Sequence, residues 1–355
     1  MMGNKAYLNY RGIMMRINIC KILKWIMLSF LGLILVLIIG LIINNRMCAA
    51  KYNKLNTNAK VLTKDEISAI KDVYEFLDSN GNDIFKGLKE NKDLVIFNDS
   101  YEFLISDNKD TIGWNFISDD RIINKKIYSR KVNNPQAFAV SVNDKWIGSM
   151  STKNTFNKSI VNTIPIFFPP QIMIMDDEQY KATIIHEITH AYEATNNPSR
   201  FKQIQKLHNV CSNYYNNQTF EKLITKEAYN LEQASKASKR EDVLAYSKKF
   251  LETREKRRTE CKMSAAEIKN EMDFEWLEGL ARYVEYKVST NSNSLVVKNL
   301  LNISQKVKEK GDHRYYALGM AQALILDKLQ KDWKNDLFTE NFSMEEYLKK
   351  IIISN

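Results

Sequence analysis

The chain reads as an α+β protein carried on one membrane-spanning helix, and three observations support this. Residues 25–43 run WIMLSFLGLILVLIIGLII without a charge. Residues 93–169 hold short apolar runs broken by Asn, Asp and Lys. From residue 171 onward, apolar residues recur at helical spacing. Strands gathered before helices, rather than alternating with them, are the mark of an α+β chain with an antiparallel sheet.

The apolar run comes first. At 1.5 Å per residue, its 19 residues nearly cross a hydrocarbon layer of about 30 Å. The tail before it, residues 1–24, carries Lys5, Arg11, Arg16, Lys21 and Lys24 and no acid, which marks the cytoplasmic side and leaves the rest of the chain outside. A cleaved signal peptide is the alternative. Cys48-Ala49-Ala50 is a poor cleavage site, and the apolar core exceeds the usual length of about 7–15 residues, so an uncleaved single-pass anchor is expected. Residues 1–60 contain nine Lys/Arg and no Asp/Glu, whereas the other 295 residues hold 43 basic and 42 acidic ones. The excess charge therefore suits anionic lipid and argues against a nucleic-acid surface on the folded part.

Residues 44–62 are polar and basic and read as a tether. Residues 63–355 follow as one large domain with a helix-plus-sheet part (63–170) and a helical part (171–355). Thr63 and Glu66 form a capping box that opens a helix with Ile67, Ile70, Val73, Tyr74 and Leu77 on one face. Leu94–Phe97, Tyr101–Ile105, Trp114–Ile117 and Ala137–Val142 read as strands, with a turn at 106–110. Ile164–Met175 is placed in sequence to be a last edge strand, although Pro165, Pro169 and Pro170 restrict its pairing. An insertion at about 197–270 reads as a charged helical hairpin, in which Arg254-Glu255-Lys256-Arg257-Arg258 is expected as a solvated face. Cys211 and Cys261 lie in it, either paired or as free buried thiols. Residues 313–330 and 343–353 read as closing helices. The sequence has no internal repeat, Gly-rich phosphate loop or nucleophile elbow.

Chemistry enters at His186-Glu187-Ile188-Thr189-His190. On a helix, residues four apart share a face, so both imidazoles can hold one metal ion while Glu187 projects beside it. The flanks favour a helix. Asp176, Asp177 and Glu178 suit its N-terminus, Ile184, Ile185, Ile188 and Ala191 form an apolar stripe, and Asn196-Asn197-Pro198 stops it. Catalytic zinc usually keeps three protein ligands and one open position. A third histidine six residues after His190 is ruled out, because that residue is Asn196, and no Cys lies near. A carboxylate from a later helix remains. Glu278, followed by small Gly279 and Ala281, is the best candidate, with Glu271, Glu275 and Glu285 as competitors.

These two motifs resemble the gluzincins, zinc peptidases with an H-E-x-x-H helix and a glutamate ligand on a second helix. Trp276-Leu277-Glu278-Gly279-Leu280-Ala281 is similar to the W-L-x-E-G-x-A pattern around that glutamate, with one residue fewer before it. The resemblance implies a zincin-like fold, Zn2+ held by His186, His190 and Glu278, and Glu187 as general base in peptide hydrolysis. It also implies a Tyr or His donor to the oxyanion, for which His313 and Tyr316 are the candidates. The expected substrate is a peptide or protein. Two other readings stand beside this one: a zinc hydrolase acting on non-peptide amides, and a non-catalytic membrane-tethered sensor or scaffold.

Overall fold

A computed structural model describes residues 3–108, 111–165, 168–289 and 299–354. The chain divides into two compact units, Met1–Asn56 with Asn154–Ile174, and Thr57–Lys153 with Met175–Asn355.

In the first unit, helix α1 (Gly3–Asn53) contains the apolar run, and its Lys21–Asn53 portion is long and apolar enough to cross a membrane. The helix continues past that run, so the stretch read as a tether is helical through Asn53. The unit also holds most of α3 (Lys153–Thr163) and a 3-10 turn at Pro170–Ile172. The edge strand expected at Ile164–Met175 does not form among the described residues, and residues 166 and 167 lie outside them. Prolines without N–H groups cannot complete a ladder, and Pro170 instead starts the 3-10 turn.

In the second unit, α2 (Lys64–Ile84) opens on the Thr63–Glu66 capping box and buries Ile67, Ile70, Val73, Tyr74 and Leu77. Six strands follow: β1 (Leu94–Phe97), β2 (Tyr101–Ser106), β3 (Asn115–Asp120), β4 (Lys125–Lys131), β5 (Phe138–Val142) and β6 (Lys145–Ser151). Part of the turn expected at 106–110 lies outside the described residues. The sheet order is β3-β4-β2-β1-β6-β5. It is mixed, not antiparallel as expected, because β1 pairs with β6 in parallel, from Leu94 opposite Gly148 to Phe97 opposite Ser151. After β4 the chain passes to the other side of β1 and returns through the β5–β6 hairpin, whose turn residues Asn143 and Asp144 both take positive φ. That reversal brings β6 alongside β1 in the same direction.

One sheet face carries a cluster of Val95, Leu104, Trp114, Tyr128, Val142 and Ile147. The other receives α4 (Asp177–Asn196), which packs on β6 and β5. Gly148 permits this contact, since a Cβ there would stand 2.9 Å from Ile188 N. Beyond α4 lie α5 (Pro198–Ile204), α6 (Gln218–Lys236), α7 (Arg240–Glu260), α8 (Ala265–Val288), α9 (Ile303–Lys306), α10 (His313–Leu329) and α11 (Met344–Ile353). Helix α8 packs between α4 and α10. Its small residue Gly279 serves the α10 side rather than α4. A Cβ on Gly279 would lie 2.5 Å from Gly319 Cα, and one on Gly319 would lie 2.3 Å from the Glu275 carbonyl oxygen.

Helices α6 and α7 form the expected hairpin, but Arg254, Arg257 and Arg258 are buried, not solvated. They sit at i, i+3 and i+4, one face of α7, and meet carboxylates from three other helices. Arg254 donates to Glu227, Glu275 and Glu345, Arg257 to Glu227 and Glu271, and Arg258 to Glu271 and Glu345. Only Glu255 and Lys256 of that run face solvent. Cys211 and Cys261 are both free, and burial pushes the Cys211 thiol up to about 12.

Candidate metal centre

Helix α4 is built to begin and end where it does. Asp176 caps it through the Gln179 N–H, and the Gln179 side chain returns the bond to the Asp176 backbone. Asn197 closes it before Pro198. Pressed against the sheet on one side and α8 on another, the helix buries His186, Glu187, His190 and Glu193. Helix α8 is fixed by its own capping box, Ser264 with Glu267, and buries Glu278 opposite the two imidazoles.

Three donor atoms converge. His186 Nε2 and His190 Nε2 lie 3.2 Å apart, and Glu278 Oε2 is 3.8 Å and 3.5 Å from them respectively. For a tetrahedral ion with bonds of about 2.0–2.1 Å, donor–donor edges come to about 3.3–3.4 Å. The three measured edges bracket that value, so this buried group can hold a metal ion. The rest of the donor chemistry agrees. His190 Nδ1 is 2.9 Å from Glu193 Oε2, and His186 Nδ1 is 3.3 Å from Glu285 Oε2. The carboxylate behind His190 Nδ1 fixes the proton there and turns that Nε2 lone pair inward, while Glu285 stands behind His186 Nδ1 at ion-pair distance. Arg282 donates to both oxygens of Glu285, at 2.8 and 2.7 Å, and holds it in place.

No family model, curated protein or solved structure matches this chain. What the site can do is therefore read from its own groups.

Among the four acids considered for the third ligand, the structure separates the roles. Glu278 joins the histidines, Glu285 backs His186, and Glu271 and Glu275 turn away into the arginine cluster. Burial would raise the Glu278 carboxyl, but His190 and His186 outweigh it and hold the group well below the usual carboxylate range. Burial lifts Glu187 above its ordinary value, against the pull of His186 and His190. Its Oε2 is buried and has no hydrogen-bond partner. An unpaired buried carboxylate oxygen costs stability unless a ligand uses it. Burial also pushes Glu193 up to about 7, opposed by its bond to His190.

Tyr316 sits on α10, one turn before Gly319. Burial and the nearby Glu278 carboxylate push its hydroxyl above its ordinary value, its ring stacks near His186 at 6.4 Å, and Arg282 lies 5.4 Å over its face. His313 is exposed at the start of α10 and touches the Tyr316 ring, at 5.5 Å, one residue removed from the metal group. Three roles were not anticipated from sequence. Glu193 and Glu285 back the histidines, and the Phe138 ring lies 4.5 Å from His190. Phe138 begins β5, so the strand beside the centre is this sheet edge. Glu193 could have been found, because it follows His190 by three residues on the same helix.

Proposed function

We propose that this chain is a membrane-anchored zinc metallopeptidase of gluzincin type, zincin-like in fold, with its catalytic domain on the extracytoplasmic side. The observation that carries the reading is a three-donor group, with no fourth donor among the described residues, and the unpaired Oε2 of Glu187 on the same helix as its two imidazoles. Structural zinc sites use four protein ligands, while catalytic ones use three and keep a position for water or substrate. Two imidazole nitrogens and one carboxylate oxygen at near-tetrahedral spacing favour zinc among common divalent ions.

His186, His190 and Glu278 would hold the ion. When bound, zinc supplies a Lewis acid that acidifies water and polarises a carbonyl oxygen. Glu187 takes the proton of the attacking water and later returns it to the leaving amine, a role that suits a carboxyl raised by burial. Tyr316 is the donor to the oxyanion in this reading, ahead of His313, because its ring lies beside His186 whereas His313 is exposed and reaches only Tyr316. The outer edge of β5 has no strand partner among the described residues, which suits an extended peptide pairing beside Phe138 and His190.

The test uses the full chain in detergent or vesicles, with metal analysis and chelator-sensitive cleavage of a peptide library. Glu187→Gln is expected to keep zinc and lose about 10²- to 10⁴-fold in kcat. His186→Ala is expected to lose zinc and cleavage together. Full activity in Glu187→Gln removes the base assignment, and unchanged zinc in His186→Ala removes the site.

A further inference from the structure

The unit formed by Met1–Asn56 and Asn154–Ile174 has an unusual surface. It carries nine Lys/Arg and no Asp/Glu. After α3 its chain exposes Phe168 (42%), Ile172 (55%) and Met173 (50%) within six residues. Side chains of this kind clustered on a water-facing surface call for a cover. Their partner is indicated by what the segment is bonded to. Asn44 Nδ2 donates to Gln171 Oε1 at 3.0 Å, and Asn45 Nδ2 donates to the Phe168 carbonyl oxygen at 3.0 Å. Asn44 and Asn45 are the first polar residues after the apolar run ends at Ile43. Along α1 they mark the level where a spanning helix leaves the hydrocarbon layer, and the Phe168 backbone and Gln171 side chain are tied to that level. A groove of about 500 Å³ lies between the two pieces, lined in part by Met47, Lys51, Tyr52, Gln171 and Ile174. Arg46 and Lys51 are exposed on the same stretch of α1, and Lys54 is exposed just past its end.

We propose that residues 168–174 seat in the interface of the bilayer that α1 crosses, with Phe168, Ile172 and Met173 entering the acyl boundary and Arg46, Lys51 and Lys54 meeting anionic headgroups. The proposal rests on the anchor reading of α1. Amphipathic segments of this kind bury their apolar side about 5–10 Å into the headgroup–acyl boundary, and each nearby basic residue adds attraction to anionic lipid.

The experiment uses the full chain in vesicles of phosphatidylcholine and phosphatidylglycerol with radiolabelled lipid. A photoreactive benzophenone side chain is placed singly at Ile34, Phe168, Met173 or Ile353, the last an exposed apolar residue near the C-terminus. Lipid labelling from Phe168 and Met173 is expected to approach that from Ile34 and to exceed that from Ile353 about tenfold. Ile172→Asp should cut labelling from Phe168 about tenfold and leave Ile34 unchanged. Strong labelling from Ile34, with Phe168 and Met173 at the Ile353 level, overturns the interfacial seat and leaves the anchor standing. No lipid labelling from Ile34 overturns both. Crosslinks to protein in place of lipid at Phe168 and Met173 assign the patch to a protein partner and overturn the proposal.

Discussion

At the scale of single residues, the centre depends on groups that never touch a ligand. Glu285 faces His186 Nδ1 and is itself gripped by Arg282, so one imidazole is oriented by a two-link chain on α8. Removing such a backing carboxylate typically weakens metal affinity 10- to 100-fold. Glu285→Gln is therefore expected to weaken zinc binding by about that factor, measured by competition with a chromogenic chelator, with the fold unchanged by circular dichroism. An unaltered affinity would show that the 3.3 Å contact is incidental. His186 and His190 were legible in the sequence because the helix repeat places them on one face. Glu278 was legible from the resemblance of its segment and not from its small neighbours, since Gly279 meets α10. Glu285 was not, because its role depends on how α8 lies against α4, and nothing local records that.

At the scale of elements, α8 is held on both sides. The Gly279–Gly319 crossing brings α10 against the turn that presents Glu275 and Glu278. Gly319→Ala would press a methyl onto the Glu275 carbonyl oxygen. Overpacking of this kind costs roughly 1–3 kcal/mol, and the expected result is a lower melting temperature together with a raised KM or lowered kcat, since Tyr316 shares the displaced helix. On the other side, Arg254 donates to Glu275, and Gln322 of α10 donates to the same carboxylate at 2.8 Å. Breaking one partner of a buried ionic cluster costs about 3–5 kcal/mol. Arg254→Met is expected to lose that much in urea unfolding, whereas Lys256→Met, on the solvated face, should lose less than about 0.5 kcal/mol. The arginine run was misread because a string of charges is usually solvated. Its i, i+3, i+4 spacing, paired with Glu271 and Glu275 at i, i+4, was the available signal. The parallel β1–β6 pairing was not available at all, since alternation fixes which face a side chain takes and not which strand lies beside it.

At the scale of the whole molecule, the buried acids set the acid limit of the fold. Burial would raise Glu345, but Arg254 and Arg258 outweigh it and hold the group well below the usual carboxylate range; Arg257 and Arg258 do the same for Glu271. A carboxyl whose folded-state pKa is depressed contributes stability above its unfolded value of about 4.3 and loses it as pH falls toward the folded value. The stability of the folded part should thus decline steeply below about pH 4 from these groups. In Glu345→Gln the decline should be shallower, although the variant starts less stable at neutral pH; urea midpoints measured between about pH 5 and pH 3 check both.

The neighbourhood of His186 and His190 gathers Glu187, Glu193, Glu278 and Glu285 against a single guanidinium, Arg282. Without an ion, the acids there lie against the two imidazoles and Arg282, and they outweigh burial to lift His186 and His190 above the ordinary imidazole value. A divalent ion entering between them must displace protons, so its affinity should fall as the surroundings turn acidic.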